Sequence, residues 1–157
     1  MRKKSSYRPK TVRLDTISFV KSGLIPVTKV KDAGMMLQIK NHAALDAILK
    51  GKGTQEDVDT LMMVLNISEA LALFRLGNDW LEEIKSAQDA VYNMAKRGLT
   101  GKNFIFTGPE MQIVKQIMEL HDEQLNNCTV KLLEEAMNYV HARLRNGHAK
   151  AVFKEAA

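Results

Sequence analysis

Between Val58 and Leu76 the chain reads VDTLMMVLNISEALALFRL, with apolar residues at Val58, Leu61, Met62, Met63, Val64, Leu65, Ile67, Leu71, Leu73, Phe74 and Leu76. On a helix these positions cover most of the circumference instead of forming one stripe, so the segment must lie in a membrane or be surrounded by other helices. Asn66, Ser68, Glu69 and Arg75 interrupt it. No apolar run reaches the roughly 18 residues a membrane span needs, so no membrane partner is expected. The stretch reads as the central helix of a bundle.

The 157 residues make about one domain, large enough to bury a core without disulfides or metals. The segments before and after the central stretch carry the marks of covering helices. Asp15 can N-cap a short helix bearing Ile17, Val20 and Leu24, which stops before Pro26. From Val27 to Ile39 the pattern fits a small hairpin or a loop running into an early helix start. Asn41 is placed to N-cap a helix through Lys50. Gly51 then reads as a C′ residue, and Thr54 with Asp57 imitates a capping box. A phosphate-binding loop is not indicated at Gly51-Lys52-Gly53-Thr54, because Asp46 stands where its first Gly should be. Gly77-Asn78 breaks the pattern, and a helix follows with Trp80, Leu81, Ile84, Ala87, Val91 and Met94 inward, closed by Gly98. Its Trp is expected to anchor the core. Leu99 to Gly108 is non-helical, and Phe104-Ile105-Phe106 should cross the bundle end. Thr107, Pro109 and Glu110 form a strong helix start, Asn126-Asn127 a break, and Thr129 caps the last helix. We therefore expect one all-α domain over residues 15–150, a bundle of five or six helices. A flexible basic arm (1–14) and a short tail (151–157) flank it.

The net charge of +5 is unevenly spread. Residues 1–40 hold ten Lys/Arg against Asp15 and Asp32, whereas the other 117 residues hold thirteen against sixteen Asp/Glu. Arg2, Lys3, Lys4, Arg8, Lys10 and Arg13, interleaved with Tyr7, can neutralise phosphates and stack on a base. Lys102, Arg143, Arg145 and Lys150 form a weaker basic set elsewhere in the chain. Nucleic acid, DNA foremost, is the expected partner. The alternative is a partner protein, anchored on Phe104 or Phe106. Met35-Met36 and Phe104-Ile105-Phe106 are further candidates for a homodimer or higher homo-oligomer contact.

Catalytic patterns are absent. None of the four His has Glu three residues before it, as a di-iron bundle requires, and no two His/Cys stand at zinc-knuckle spacing. His121-Asp122 lacks a spacing that ties it to His42, and His121 reads as a hydrogen-bonded core histidine. Cys128, the single cysteine, allows no intrachain disulfide and reads as inert, which suits a reducing cytoplasm. The N-terminus has no apolar core of a secretory signal. No enzyme, cofactor or metal is expected.

Arg2-Lys3-Lys4 with Tyr7-Arg8-Pro9-Lys10, then Ile39-Lys40-Asn41-His42-Ala43, Asp59-Thr60-Leu61, Gly108-Pro109-Glu110-Met111 and Glu119-Leu120-His121-Asp122 together resemble small proteins encoded by tailed phages and prophages. The resemblance covers much of the chain. It implies a bacterial host cytoplasm and an accessory role in infection, including host takeover or anti-defence, and it assigns no catalytic residues.

Overall fold

The computed structural model describes residues 24–30, 33–101 and 103–148. The expected basic arm, the short helix capped by Asp15 and the C-terminal tail lie outside these residues, as do Lys102 and Lys150. Among the described residues there are five α-helices: α1 (Ala33–Leu49), α2 (Gln55–Leu73), α3 (Leu81–Thr100), α4 (Gly108–Asn127) and α5 (Val130–Arg145). Two 3-10 turns, Val27–Lys29 and Asn78–Trp80, precede α1 and α3. The protein is an all-α bundle.

Helix α2 packs against each of the other four helices. Its Val58, Leu61, Leu65, Ala70, Leu71 and Ala72 are completely buried, on all sides of the helix. Ile48 of α1, Ile84, Val91 and Met94 of α3, and Val114, Ile117 and Met118 of α4 close around it. Ala136 and Val140 of α5 cover its C-terminal half with Ala70 and Leu71.

Helix boundaries follow local chemistry. Asp57 Oδ2 accepts from the Thr54 N–H at 2.8 Å while Thr54 Oγ1 accepts from the Asp57 N–H. Thr107 and Glu110 repeat this reciprocal cap at α4, with Pro109 in the first turn. Thr129 caps α5 through the Leu132 N–H. Gly51 adopts φ +71° after α1, the left-handed geometry that favours glycine.

Of the two readings of Val27–Ile39, the loop running into an early helix start is the one found: α1 starts at Ala33, where Met35, Met36, Leu37 and Gln38 are good helix formers. Three expectations are corrected. Asn41 is consequently no N-cap but a buried residue inside α1. Trp80 is not a core anchor. It sits in the 3-10 turn ahead of α3 and is 37% exposed, while Ile84 and Met94 fill the core. Gly98 does not end α3, which runs on to Thr100. It is buried because the Phe104 ring lies where a Cβ would be.

Candidate binding surfaces

Helix α1 is joined to α4 by two side-chain rungs, each one turn from the next. His42 Nε2 lies 2.6 Å from Asp122 Oδ2, and Gln38 Nε2 donates to Asn126 Oδ1 at 3.4 Å. Nothing in the spacing of the sequence links His42 to Asp122, eighty positions apart. The matched i, i+4 pairs Gln38/His42 and Asp122/Asn126 were the only legible trace of the antiparallel pairing. Asp122 Oδ1 is buried without a hydrogen-bond partner.

One residue from this pair, His121 is 3% exposed. Burial depresses its pKa from 6.5 to about 4, against the opposing pull of its hydrogen bond to Gln124, so it is neutral at pH 7. Gln124 is fully engaged. Its Nε2 donates to Ser68 O (3.1 Å) and Leu76 O (2.8 Å), and its Oε1 accepts from Ser68 Oγ (2.7 Å). That orientation makes His121 Nδ1, 3.4 Å away, the donor to Oε1. The cluster thus stitches α4 to the end of α2. Among the described residues no three His, Cys, Asp or Glu side chains converge to hold a metal ion. Burial pushes the Cys128 thiol up, away from the reactive thiolate.

The expected basic set divides. Arg143 is half-buried and engaged: its guanidinium lies 3.7 Å from Glu69 Oε2, sits over the Tyr139 ring and donates to His148 O. Glu69 Oε2 also accepts from Gln88 Nε2, which in turn donates to the buried Asn66. Arg145, two positions on, is exposed. Arg2, Lys3, Lys4, Tyr7, Arg8, Lys10 and Arg13 lie outside the described residues, with Lys102 and Lys150.

Both Phe104 and Phe106 pack against the main core, as the bundle-end reading expects, and Ile105 between them is 60% exposed. The loop is pinned by Arg97, which bridges Glu110 Oε1 and the Ile105 carbonyl. Hydrogen bonding to Arg97 holds the Glu110 carboxyl below its usual range. The exposed apolar groups at this end are therefore Leu99 and Ile105, not the aromatic rings.

A larger apolar surface lies at the start of α1. Val27 is buried with Leu125 and Cys128, its N–H donating to Cys128 O, while the Val130 N–H donates to Ile25 O. This short antiparallel bridge fixes the incoming chain against the α4–α5 connection. Above it Leu24, Ile25, Val30, Met35, Met36 and Ile39 are exposed, Met35 and Met36 by more than 60%. A groove of about 270 Å³ opens among Thr28, Val30, Gly34, Met35, Gln38, Leu125 and Asn126. Of this face the sequence marks only Met35-Met36, as a candidate homo-oligomer contact; Ile39 and the groove are not read from it.

Comparison with protein-family models, curated proteins and solved structures returns no match. Among the described residues no helix is long and apolar enough to cross a membrane.

Proposed function

We propose that this chain is a non-enzymatic, phage-encoded accessory protein that binds nucleic acid, DNA foremost, through its basic N-terminal arm. Segregation of charge carries the reading. Residues 1–40 concentrate ten cations against two acids, whereas residues 41–157 are net acidic. Two cations of the body, Arg97 and Arg143, are already held by Glu110 and Glu69. Affinity then rests on the arm, where six Lys/Arg release counterions from phosphates.

The test is fluorescence anisotropy on a short labelled DNA across a salt series. The full chain should show a log–log slope of magnitude about 3–5. Deleting residues 2–13 should abolish binding while leaving circular dichroism unchanged. Arg145→Glu should weaken it far less. Salt-independent affinity, or undiminished binding without the arm, refutes the reading.

A second reading, docking on a host or phage protein, is favoured by exposed Leu99 at the end of α3 and exposed Ile105 on the Arg97-pinned loop. Apolar anchors dominate such interfaces. Loss of a co-purifying protein on Ile105→Asp, with DNA binding absent from the outset, would replace the first reading by this one.

A further inference from the structure

We infer that residues 14–23 of this same chain seat on the exposed apolar face at the start of α1 and fill the groove beside Met35. Three observations converge on that occupant. The first is the face itself: Val30 and Met35 line the groove, and Met36 and Ile39 lie three residues apart on the adjoining side of α1. At about 270 Å³ the groove is below the size of a typical small-molecule site, roughly 300–1,000 Å³. It suits one or two side chains.

The second is where the chain enters. Leu24 is itself exposed, and Ile25 is tied to Val130, so whatever precedes Leu24 begins beside this face. Gly23, preceded by Ser22, permits a sharp reversal of direction there.

The third is the content of the segment. Leu14, Ile17, Phe19 and Val20 supply large apolar side chains, and Ile17, Val20 and Leu24 share one side of a helix. Asp15 and Lys21 cancel, so the segment brings no net charge to the seat. Even at the short rise of a helix ten residues reach about 15 Å, more than twice the roughly 6 Å from Met35 to Ile39 along α1. A tether this short gives an effective concentration in the millimolar range, which a second copy of the chain must exceed to compete. Seating also leaves every cation from Arg2 to Arg13 ahead of the docked segment. The inference does not depend on what those cations bind.

Methionine oxidation by dilute hydrogen peroxide, read by peptide mass spectrometry on the full chain at low micromolar concentration, tests it. Met137 on α5 serves as the exposed reference and Met94 as the buried one. Met35 and Met36 should oxidise more slowly than Met137, although their own helix leaves them more exposed. Ile17→Asp with Val20→Asp should raise both rates severalfold, with Met94 and Met137 unchanged. Should Met94 also quicken, the decisive variant is Ile39→Lys, which should speed amide exchange over residues 17–22 severalfold. Rates at Met35 and Met36 already equal to Met137 overturn the inference. So does protection that vanishes on dilution, which assigns the face to a second copy, or exchange over 17–22 that Ile39→Lys leaves unaltered. Loss of DNA binding on removing residues 2–13 bears on the arm alone, so the two proposals fail separately.

Discussion

Helices α1 and α2 are both rich in Leu, Ile, Met and Ala, yet their apolar groups end in different surroundings. Along α2, neighbours stand on every side, and Val58, Leu61, Leu65 and Leu71 reach complete burial. The second half of α1 behaves alike, with Ala44, Leu45 and Ile48 turned into the core. Among the described residues its first half meets the 3-10 turn and the end of α4, and Met35, Met36, Leu37 and Ile39 are exposed. Apolar composition sets the demand for burial, but the number of surrounding elements decides whether it is met. An unmet demand marks a contact surface, the more so when it is contiguous.

The sharpest way to probe this contrast is truncation within α2. Leu65→Ala should lower stability by about 2–5 kcal/mol in urea denaturation, because a cavity opens where all sides are packed. A cost below about 1 kcal/mol would show that α2 is not the centre.

Next in size is acid. The depressed pKa of His121 means the unfolded chain binds a proton that the folded chain refuses between pH 6.5 and about 4. The associated stability is fully present above 6.5 and lost as pH falls to about 4. At about 1.4 kcal/mol per pH unit that is roughly 3 kcal/mol. The loss of stability across this window, followed by urea midpoints, should flatten in His121→Leu.

Gln124→Leu comes third. It removes the acceptor of the buried Ser68 hydroxyl and the side-chain donor to the Ser68 and Leu76 carbonyls. A loss of about 1–3 kcal/mol is expected. A neutral effect would show that the α2–α4 stitch contributes packing alone. Smallest is Met36→Ala, which should change the urea midpoint by no more than about 1 kcal/mol, since only a local cover is at stake. A cost equal to that of Leu65→Ala would erase the distinction between the two helices.

The basic cluster on α5 shows a second limit of reading charge from a sequence. Arg143 and Arg145 look equivalent as letters. Two positions apart on a helix they point in different directions, and Arg143 meets Glu69 and the Tyr139 ring while Arg145 faces water. Phe104 shows the same for aromatics: Gly98 offers a slot that only a missing Cβ creates, and the Phe104 ring occupies it.

Local interactions made much of the architecture legible beforehand. The all-round apolar run of α2, the reciprocal caps at Thr54/Asp57 and Thr107/Glu110, the Thr129 cap and the turn at Gly51 involve residues within a few positions of one another. Their energetics are therefore encoded in short stretches of chain. The pairing of His42 with Asp122 and the engagement of Gln124 with Ser68 and Leu76 were decided by partners distant in sequence. Such contacts depend on which helices become neighbours and at what rotation. Periodicity can mark which face of a helix seeks burial, but only the packed bundle determines which side chain of another helix arrives to cover it.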